Sequence, residues 1–414
     1  MRLLSGTTLV AVLLSVAGCT GSEPEGGTGG VGEVRIGVLT PRSGASRVAG
    51  NEALQGAELA TALVNGDEGA VQLAGVGTGG LAGLGGAKLR IVPGDTKSSP
   101  DDGATEAARL VTAEQVAGLV GAFDPLVTEV ASQRTERLGV PFVNGDSPAG
   151  YLTERGLDWF FRTGPTDRMF AEAFYSALRE TAGADASKVA TLYTSDQPSS
   201  VVAKLTQDLA EEGGFDLVSQ VRVAPPGPGD SPPVAAVNQI RAKEPDAVFV
   251  IASAPEAATS LLKAFGQANY SPPGILAFGA GFTPPTVLGA GPDGEALLSS
   301  TAWSREIAGR SAIAKPVMEL YEERFDRPMS ETAAGTFTAV LVLAEAIDNA
   351  GSTDPQQVRA ALLNLDIPGR EMIMPWSGLR FDAASHQNVA ANGVVEQRVR
   401  DTFKVVFPSE LQSA

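Results

Sequence analysis

Cysteine and histidine, which carry much of protein catalysis and metal binding, occur once each in this chain, as Cys19 and His386. Zinc sites need clusters of such ligands, and thiol or imidazole catalysis needs at least one of them placed in a site. His386 lies in a polar stretch near the end of the chain, so we expect it to be exposed to solvent and not to serve a Ser-His-Asp triad. A single cysteine cannot form an internal disulfide. These residues argue against an enzyme and predict neither a metal nor a cofactor.

The charge balance bears on the partners. The chain holds 31 Lys and Arg residues against 48 Asp and Glu residues, which gives a net charge of −17. A surface of this sign repels phosphate backbones. We therefore expect no nucleic-acid partner.

The residues before Cys19 predict export. Arg2 is followed by a short apolar segment at 8–16, and the small residues Ala17 and Gly18 come directly before the cysteine. This is the pattern of a secretory signal peptide, and it is too short for a membrane span.

The position of Cys19 predicts a lipid anchor, since the string Val16-Ala17-Gly18-Cys19 resembles a bacterial lipobox. We expect a signal peptide at 1–18 and a lipidated, flexible tether at 19–32 that holds the folded part outside the cytoplasmic membrane. An ordinary signal peptide with an incidental cysteine is the alternative.

From Glu33 onward, short apolar runs alternate with segments of helical periodicity, and the same rhythm restarts after Arg162. Strands are predicted at 34–39, 87–92, 117–120 and 141–143, then at 188–193, 216–222, 246–251 and 275–278. Helices are predicted at 52–64, 101–112, 128–138, 167–180, 199–212, 232–243 and 255–267, and near 311–326, 331–350 and 355–364. This order predicts an α/β fold with two similar layers, each a parallel sheet covered by helices.

A glycine-rich segment, residues 75–86, contains a formal G-x-G-x-x-G at Gly75, Gly77 and Gly80. A dinucleotide site requires this motif to follow a strand and open a helix, whereas here it precedes a strand. We therefore expect a flexible inserted loop and no nucleotide.

Several segments, taken in order, resemble the leucine/isoleucine/valine-binding proteins, the type I periplasmic solute-binding proteins of ABC importers. The resemblance runs over residues 34–407. The segments that carry it are 34–65, Pro93-Gly94-Asp95, 107–111, 118–121, 152–156, Phe161-Arg162-Thr163, 245–248 and 378–382.

The resemblance implies a periplasmic binding protein type I fold, with two Rossmann-like lobes joined by a three-strand hinge. It places the N-terminal lobe at 33–163 plus 302–370 and the C-terminal lobe at 164–301 plus 371–407. It also implies that a monomer captures a small organic solute, an amino acid or a related compound, between closing lobes. The solute would then pass to ABC permease and ATPase subunits.

Ligands of open parallel sheets bind beyond the carboxyl ends of the strands. Loops at those ends, and the first crossover between the lobes, supply the candidate ligand-binding residues. They are Phe123, Asp124, Thr128, Asp146, Ser147, Asp167, Ser195, Ser253 and Phe282. Phe123 and Phe282, together with Trp303, are either pocket walls or packed anchors. Asp167 is either a ligand contact or, as we favour, a helix cap.

The chain departs from the family's amino-acid site, in which the first lobe holds the carboxylate and an acidic residue of the second lobe holds the ammonium. Pro125 and Pro148 stand at the usual serine and threonine positions, Pro198 stands where a tyrosine is common, and Gly279-Ala280 stands where the acid is expected. A buried ammonium without a carboxylate partner is costly. This favours a less charged, more apolar solute.

Two other functions stay open at this stage. An envelope ligand-sensing protein that signals to a partner would need the same two lobes. An envelope hydrolase would have to rely on carboxylates alone, and the sequence shows no placed pair.

Overall fold

The computed structural model describes residues 32–68, 71, 73, 79–182, 187–227, 229–294 and 296–411. The predicted signal peptide, Cys19 and the predicted tether up to residue 31 lie outside the described residues, as do residues 75–78 of the glycine-rich segment.

Strands and helices alternate through the first three quarters of the chain. The strands are β1 (Glu33–Thr40), β2 (Lys88–Asp95), β3 (Leu119–Gly121), β4 (Phe142–Asn144), β5 (Phe160–Arg162), β6 (Lys188–Thr194), β7 (Asp216–Val223), β8 (Ala247–Ile251), β9 (Gly274–Phe278), β10 (Leu298–Thr301), β11 (Asp366–Pro368), β12 (Gly378–Arg380), β13 (Val394–Val399) and β14 (Thr402–Phe407). The helices are α1 (Arg47–Asn65), α2 (Pro100–Thr112), α3 (Pro125–Leu138), α4 (Asp167–Ala182), α5 (Gln197–Gly213), α6 (Val234–Arg241), α7 (Pro255–Gln267), α8 (Pro284–Gly289), α9 (Arg305–Arg310), α10 (Ala314–Phe325), α11 (Glu331–Ala350) and α12 (Pro355–Leu363).

Two large sheets organise most of these elements, and β11 and β12 form a separate two-stranded sheet. The first has the order β2-β1-β3-β4-β5 and is parallel throughout. The second has the order β14-β13-β10-β9-β8-β6-β7, parallel from β10 to β7 and antiparallel at β13 and β14. The parallel part of the second sheet repeats the strand order of the first, which confirms the predicted α/β fold with two Rossmann-like layers.

Local sequence explains where many elements begin. All five residues of β8 are buried, as expected for a central strand covered on both faces. Six helices carry proline in their first turn, where the missing N–H would have no helical partner. The predicted start of α12 is confirmed, because the Asp354 carboxylate accepts a hydrogen bond from Gln357 N at 3.1 Å.

Helix α11 forms the centre of the first lobe. It is long and apolar enough to match a membrane span by composition, yet 78% of that window is buried inside the protein, as in a core helix. Helix α1 approaches it closely at Gly56, where a Cβ atom would lie 2.2 Å from the Ala333 carbonyl oxygen. Only glycine permits this distance between the two helices.

The chain passes between the two sheets three times. It leaves the first sheet after β5 and enters α4, it returns between β10 and α11, and it passes again between β12 and β13.

Two sequence-based predictions are wrong. His386 is buried, at 3% exposure, because the segment after it pairs along β5. Its ring stacks on Phe161 with centroids 4.4 Å apart, and burial lowers its pKa. The glycine-rich segment is folded over residues 79–86, where Leu81 is buried and Gly83 N donates to the Asp348 carboxylate at 2.7 Å.

Candidate functional site

The loop between β3 and α3, together with the first turn of α3, holds three of the predicted residues. Asp124 caps α3, with its carboxylate accepting hydrogen bonds from Leu126 N at 2.9 Å and Val127 N at 3.3 Å. Thr128 is fully buried, and its hydroxyl accepts a hydrogen bond from Ala122 N at 3.4 Å. Phe123 is half-buried with φ of 74°, so the backbone turns sharply there. The loop is therefore fixed by its own side chains.

Asp146 and Ser147 lie in the loop after β4. The Thr336 hydroxyl of α11 donates to Asp146 Oδ2 at 2.9 Å, while Asp146 Oδ1 is buried without a hydrogen-bond partner among the described residues. Burial raises the pKa of Asp146 to about 7, with the Thr336 hydrogen bond opposing and the Glu331 charge adding to the rise. Asp146 thus packs against α11 and titrates near neutral pH.

Ser147 is held by its backbone. Its N–H donates to Asn144 Oδ1 at 3.1 Å, and its carbonyl accepts from the Arg162 guanidinium at 3.2 Å. Its hydroxyl is buried and has no partner among the described residues. Buried polar atoms without a hydrogen-bond partner are unusual in folded proteins, so the loop after β4 is a candidate ligand-binding element.

Asp167 begins α4, but it does not cap the helix. The cap is Thr166, whose hydroxyl accepts a hydrogen bond from Met169 N at 3.1 Å, so our preferred capping interpretation of Asp167 is wrong. Burial raises the pKa of Asp167 to about 6, and the charge of Arg162 opposes the rise. Its backbone N–H donates to the Pro148 carbonyl at 2.8 Å, which joins it to the loop after β4.

The second sheet places Ser195 and Ser253 at the carboxyl ends of β6 and β8. Ser195 is exposed, and Ser253 is half-buried. Between them lies Asp196, which the sequence analysis did not select. Its carboxylate accepts hydrogen bonds from Ser199 N at 3.0 Å and from the Thr194 hydroxyl at 2.5 Å.

Asp196 stays ionised at neutral pH. Burial alone would raise its pKa, but hydrogen bonds from Thr194, Ser199 and Ser253 outweigh burial and lower the pKa below its usual value. Among the described residues, no lysine or arginine forms a salt bridge with Asp196. Its sequence signal is its place next to Ser195, two residues after the end of β6.

The aromatic candidates are mostly buried. Phe282 is 8% exposed and packs in the apolar core of the second sheet, and Trp303 is 4% exposed in the larger core cluster. The Trp303 indole N–H has no partner among the described residues. In this conformation both rings serve as packed anchors.

Eight of the nine predicted residues therefore fall into three groups, while Phe282 lies apart in the core of the second sheet. The first joins Phe123, Asp124 and Thr128 at the end of β3, and the second joins Asp146, Ser147 and Asp167 around the loop after β4. The third joins Ser195 and Ser253 through Asp196. Hydroxyls, a fixed negative charge and backbone N–H groups at strand ends can bind a small polar or amphipathic molecule.

Comparison with known proteins gives a consistent picture. A sequence model of the periplasmic binding protein family matches residues 33–400. The Leu/Ile/Val-binding protein homolog 7 of Brucella abortus (strain 2308) is 25% identical over 91% of this chain and 92% of its own length.

Solved structures share the fold. The branched-chain amino acid transporter substrate binding protein LivJ from Streptococcus pneumoniae, in complex with isoleucine, superposes with a TM-score of 0.70 at 21% identity, over 90% of this chain and 97% of that one. A solute binding protein of an ABC transporter from R. palustris, in complex with benzoate, gives a TM-score of 0.69 at 18% identity, over 90% and 95%.

Proposed function

We propose, since the chain belongs to the periplasmic binding protein family, that it captures a small organic solute for an ABC importer. One observation supports this above the others. Two sheets of the same strand order both end in loops that carry the three groups of candidate residues. A solute that touches loops of both lobes stabilises a closed state, because only that state makes both sets of contacts.

The proposed lobes keep the predicted segments 33–163 plus 302–370 and 164–301. The third passage lies between β12 and β13, so residues 371–380 join the N-terminal lobe and residues 394–407 complete the C-terminal lobe. The protein would act as a monomer outside the cytoplasmic membrane. Lipidation of Cys19 would hold it there, beside the permease and ATPase subunits that receive the solute.

The proposed ligand is a small organic acid with an apolar body, with or without an amino group. The Brucella relative bears a Leu/Ile/Val-binding name, and the two solved structures hold isoleucine and benzoate. Ala280, after β9, removes the acid expected for an ammonium, whereas Asp196 supplies an ionised carboxylate after β6, two strands away in the same sheet. Whether Asp196 meets an ammonium decides between the two ligand types.

The test is a thermal-shift screen of residues 33–414 against L-leucine, L-isoleucine, benzoate and 3,4-dihydroxybenzoate. A bound solute in excess of its dissociation constant raises the melting midpoint by mass action. A concentration-dependent rise with at least one of these acids, absent with toluene, is the expected result. No rise with any acid up to 10 mM, roughly ten times a weak 1 mM Kd, would contradict the proposal.

A variant pair identifies the ligand type. Asp196→Asn keeps the helix cap but removes the charge, and Asp354→Asn makes the same change at the cap of α12. If an amino acid binds, Asp196→Asn should weaken it about tenfold or more and Asp354→Asn should not. Benzoate should bind both variants equally.

A further inference from the structure

Arg162 is a charged side chain with no exposed surface. Burial lowers its pKa to about 10, with the charge of Asp167 opposing, so it remains a cation at neutral pH. Its hydrogen-bond acceptors are all uncharged. A buried cation is costly unless its donors are well paired, so the arrangement around it calls for an explanation.

One side of the guanidinium holds the loop after β4. Arg162 Nη1 donates to the Ser147 carbonyl at 3.2 Å and the Ala149 carbonyl at 2.6 Å. Nη2 donates to the Thr153 hydroxyl at 2.7 Å. Two of these contacts hold the candidate loop, residues 144–151, and the third holds Thr153 just after it.

The other side holds the passage between β12 and β13. Arg162 Nε donates to Gln387 Oε1 at 2.6 Å, and Gln387 Nε2 donates to the Gly164 carbonyl at 2.8 Å. The backbone of Arg162 pairs with His386 and Asn388, at 3.0 and 2.9 Å. Residues 386–388 thus lie in register with residues 161–163, at the end of β5 where the passage to α4 begins.

We infer that Arg162 is a positioning residue that couples the candidate ligand loop to two of the three passages between the lobes. The planar fork reaches acceptors on both sides at once, which the single ammonium of a lysine cannot do. The inference rests on the proposed function only in taking the loop after β4 to contact solute. The coupling itself exists without a ligand and can be measured without one.

The test compares amide hydrogen exchange in ligand-free residues 33–414 of the wild type and Gln387→Ala. Gln387 lies on the passage side of Arg162, and the loop contacts are on the other side. The control is Gln397→Ala, which changes a glutamine of the same C-terminal region whose side chain donates to the Ala296 carbonyl.

The inference predicts that Gln387→Ala speeds exchange of the amides at 147–153 at least fivefold. Gln397→Ala should leave them within twofold of wild type, and amides of β8 should not change in either variant. Loop exchange within twofold of wild type in Gln387→Ala overturns the inference, whether or not residues 386–389 loosen.

Arg162→Lys supplies a second measurement, since it keeps the charge and loses the fork. Amide exchange in the loop should become faster, as in Gln387→Ala. Wild-type exchange rates in Arg162→Lys would show that the positive charge alone suffices and would overturn the inference. If Arg162→Lys does not fold, the glutamine pair still decides. A loop effect in a protein that binds none of the screened acids would refute the proposed function and leave the coupling standing.

Discussion

At the residue scale, surroundings divide the carboxylates of this protein into two kinds. Asp146 and Glu396 are buried with no positive charge of the described residues acting on them, and burial raises the pKa of each to about 7. Asp196 gains enough hydrogen bonds to stay ionised, and its pKa is lowered. The first kind makes stability depend on pH, and the second keeps a fixed charge at the candidate site.

Glu396 gives a testable case of the first kind. It is 9% exposed on β13 and accepts a hydrogen bond from the Ser304 hydroxyl, with the charges of Glu331 and Glu306 nearby. Its folded pKa lies above its unfolded value, so its contribution to stability is present at low pH and is lost as pH rises through about 7.

Glu396→Gln should therefore raise the free energy of unfolding at pH 8.5 by roughly 1–3 kcal/mol and change it little at pH 5. Urea denaturation at the two pH values measures this, with exposed Glu323→Gln as the control. An equal change at both pH values would show that the Glu396 proton does not contribute.

At the element scale, the bounds follow from sequence where an apolar pattern or a cap is strong. Strand β8 and helix α7 match their predicted ranges to within one residue. Helix α1 begins at Arg47, five residues before its predicted start. The prediction missed this first turn because residues 47–51 carry little apolar pattern. The predicted helix near 311–326 is α10, which begins where the Ser311 hydroxyl accepts a hydrogen bond from Ala314 N at 3.1 Å, whereas the short helix α9 before it was not predicted.

Two helix glycines should respond oppositely to substitution by alanine, since Gly56 lies at the contact between α1 and α11 and Gly309 faces open space. Gly56→Ala places a Cβ atom against the backbone of Ala333 and should destabilise the protein by about 1–3 kcal/mol. Gly309→Ala in α9 meets nothing within 4 Å and should be neutral or stabilising by up to about 1 kcal/mol. Denaturation midpoints of the two variants test this, and equal shifts would mean that the helices separate without cost.

The site was less predictable than the elements, for a physical reason. Thr128 and Ser147 could be placed near strand ends from the alternation of strands and helices alone. The burial of His386 and the role of Arg162 depend on residues 386–388 docking beside β5, more than 220 residues away in the chain. A single sequence carries no local signal for such a contact, and the polar residues around His386 predict exposure instead of burial.

At the scale of the whole molecule, the two layers share a strand order and are joined by three passages, two of which meet at Arg162. Hinges between lobes consist of a few residues in connecting segments of this kind. A solute bound by both layers shifts the molecule toward closure only through its additional contacts in that state.

The most direct test of this account is the distance between the two lobes with and without solute. Val48 and Val201 are exposed near the starts of α1 and α5, at 61% and 53%, and residues 33–414 contain no cysteine. Spin labels on Val48→Cys and Val201→Cys therefore report the separation of the lobes by pulsed electron paramagnetic resonance. The account predicts that a solute that raises the melting midpoint shifts the distribution to shorter distances. An unchanged distribution at saturating concentrations of every solute would contradict it.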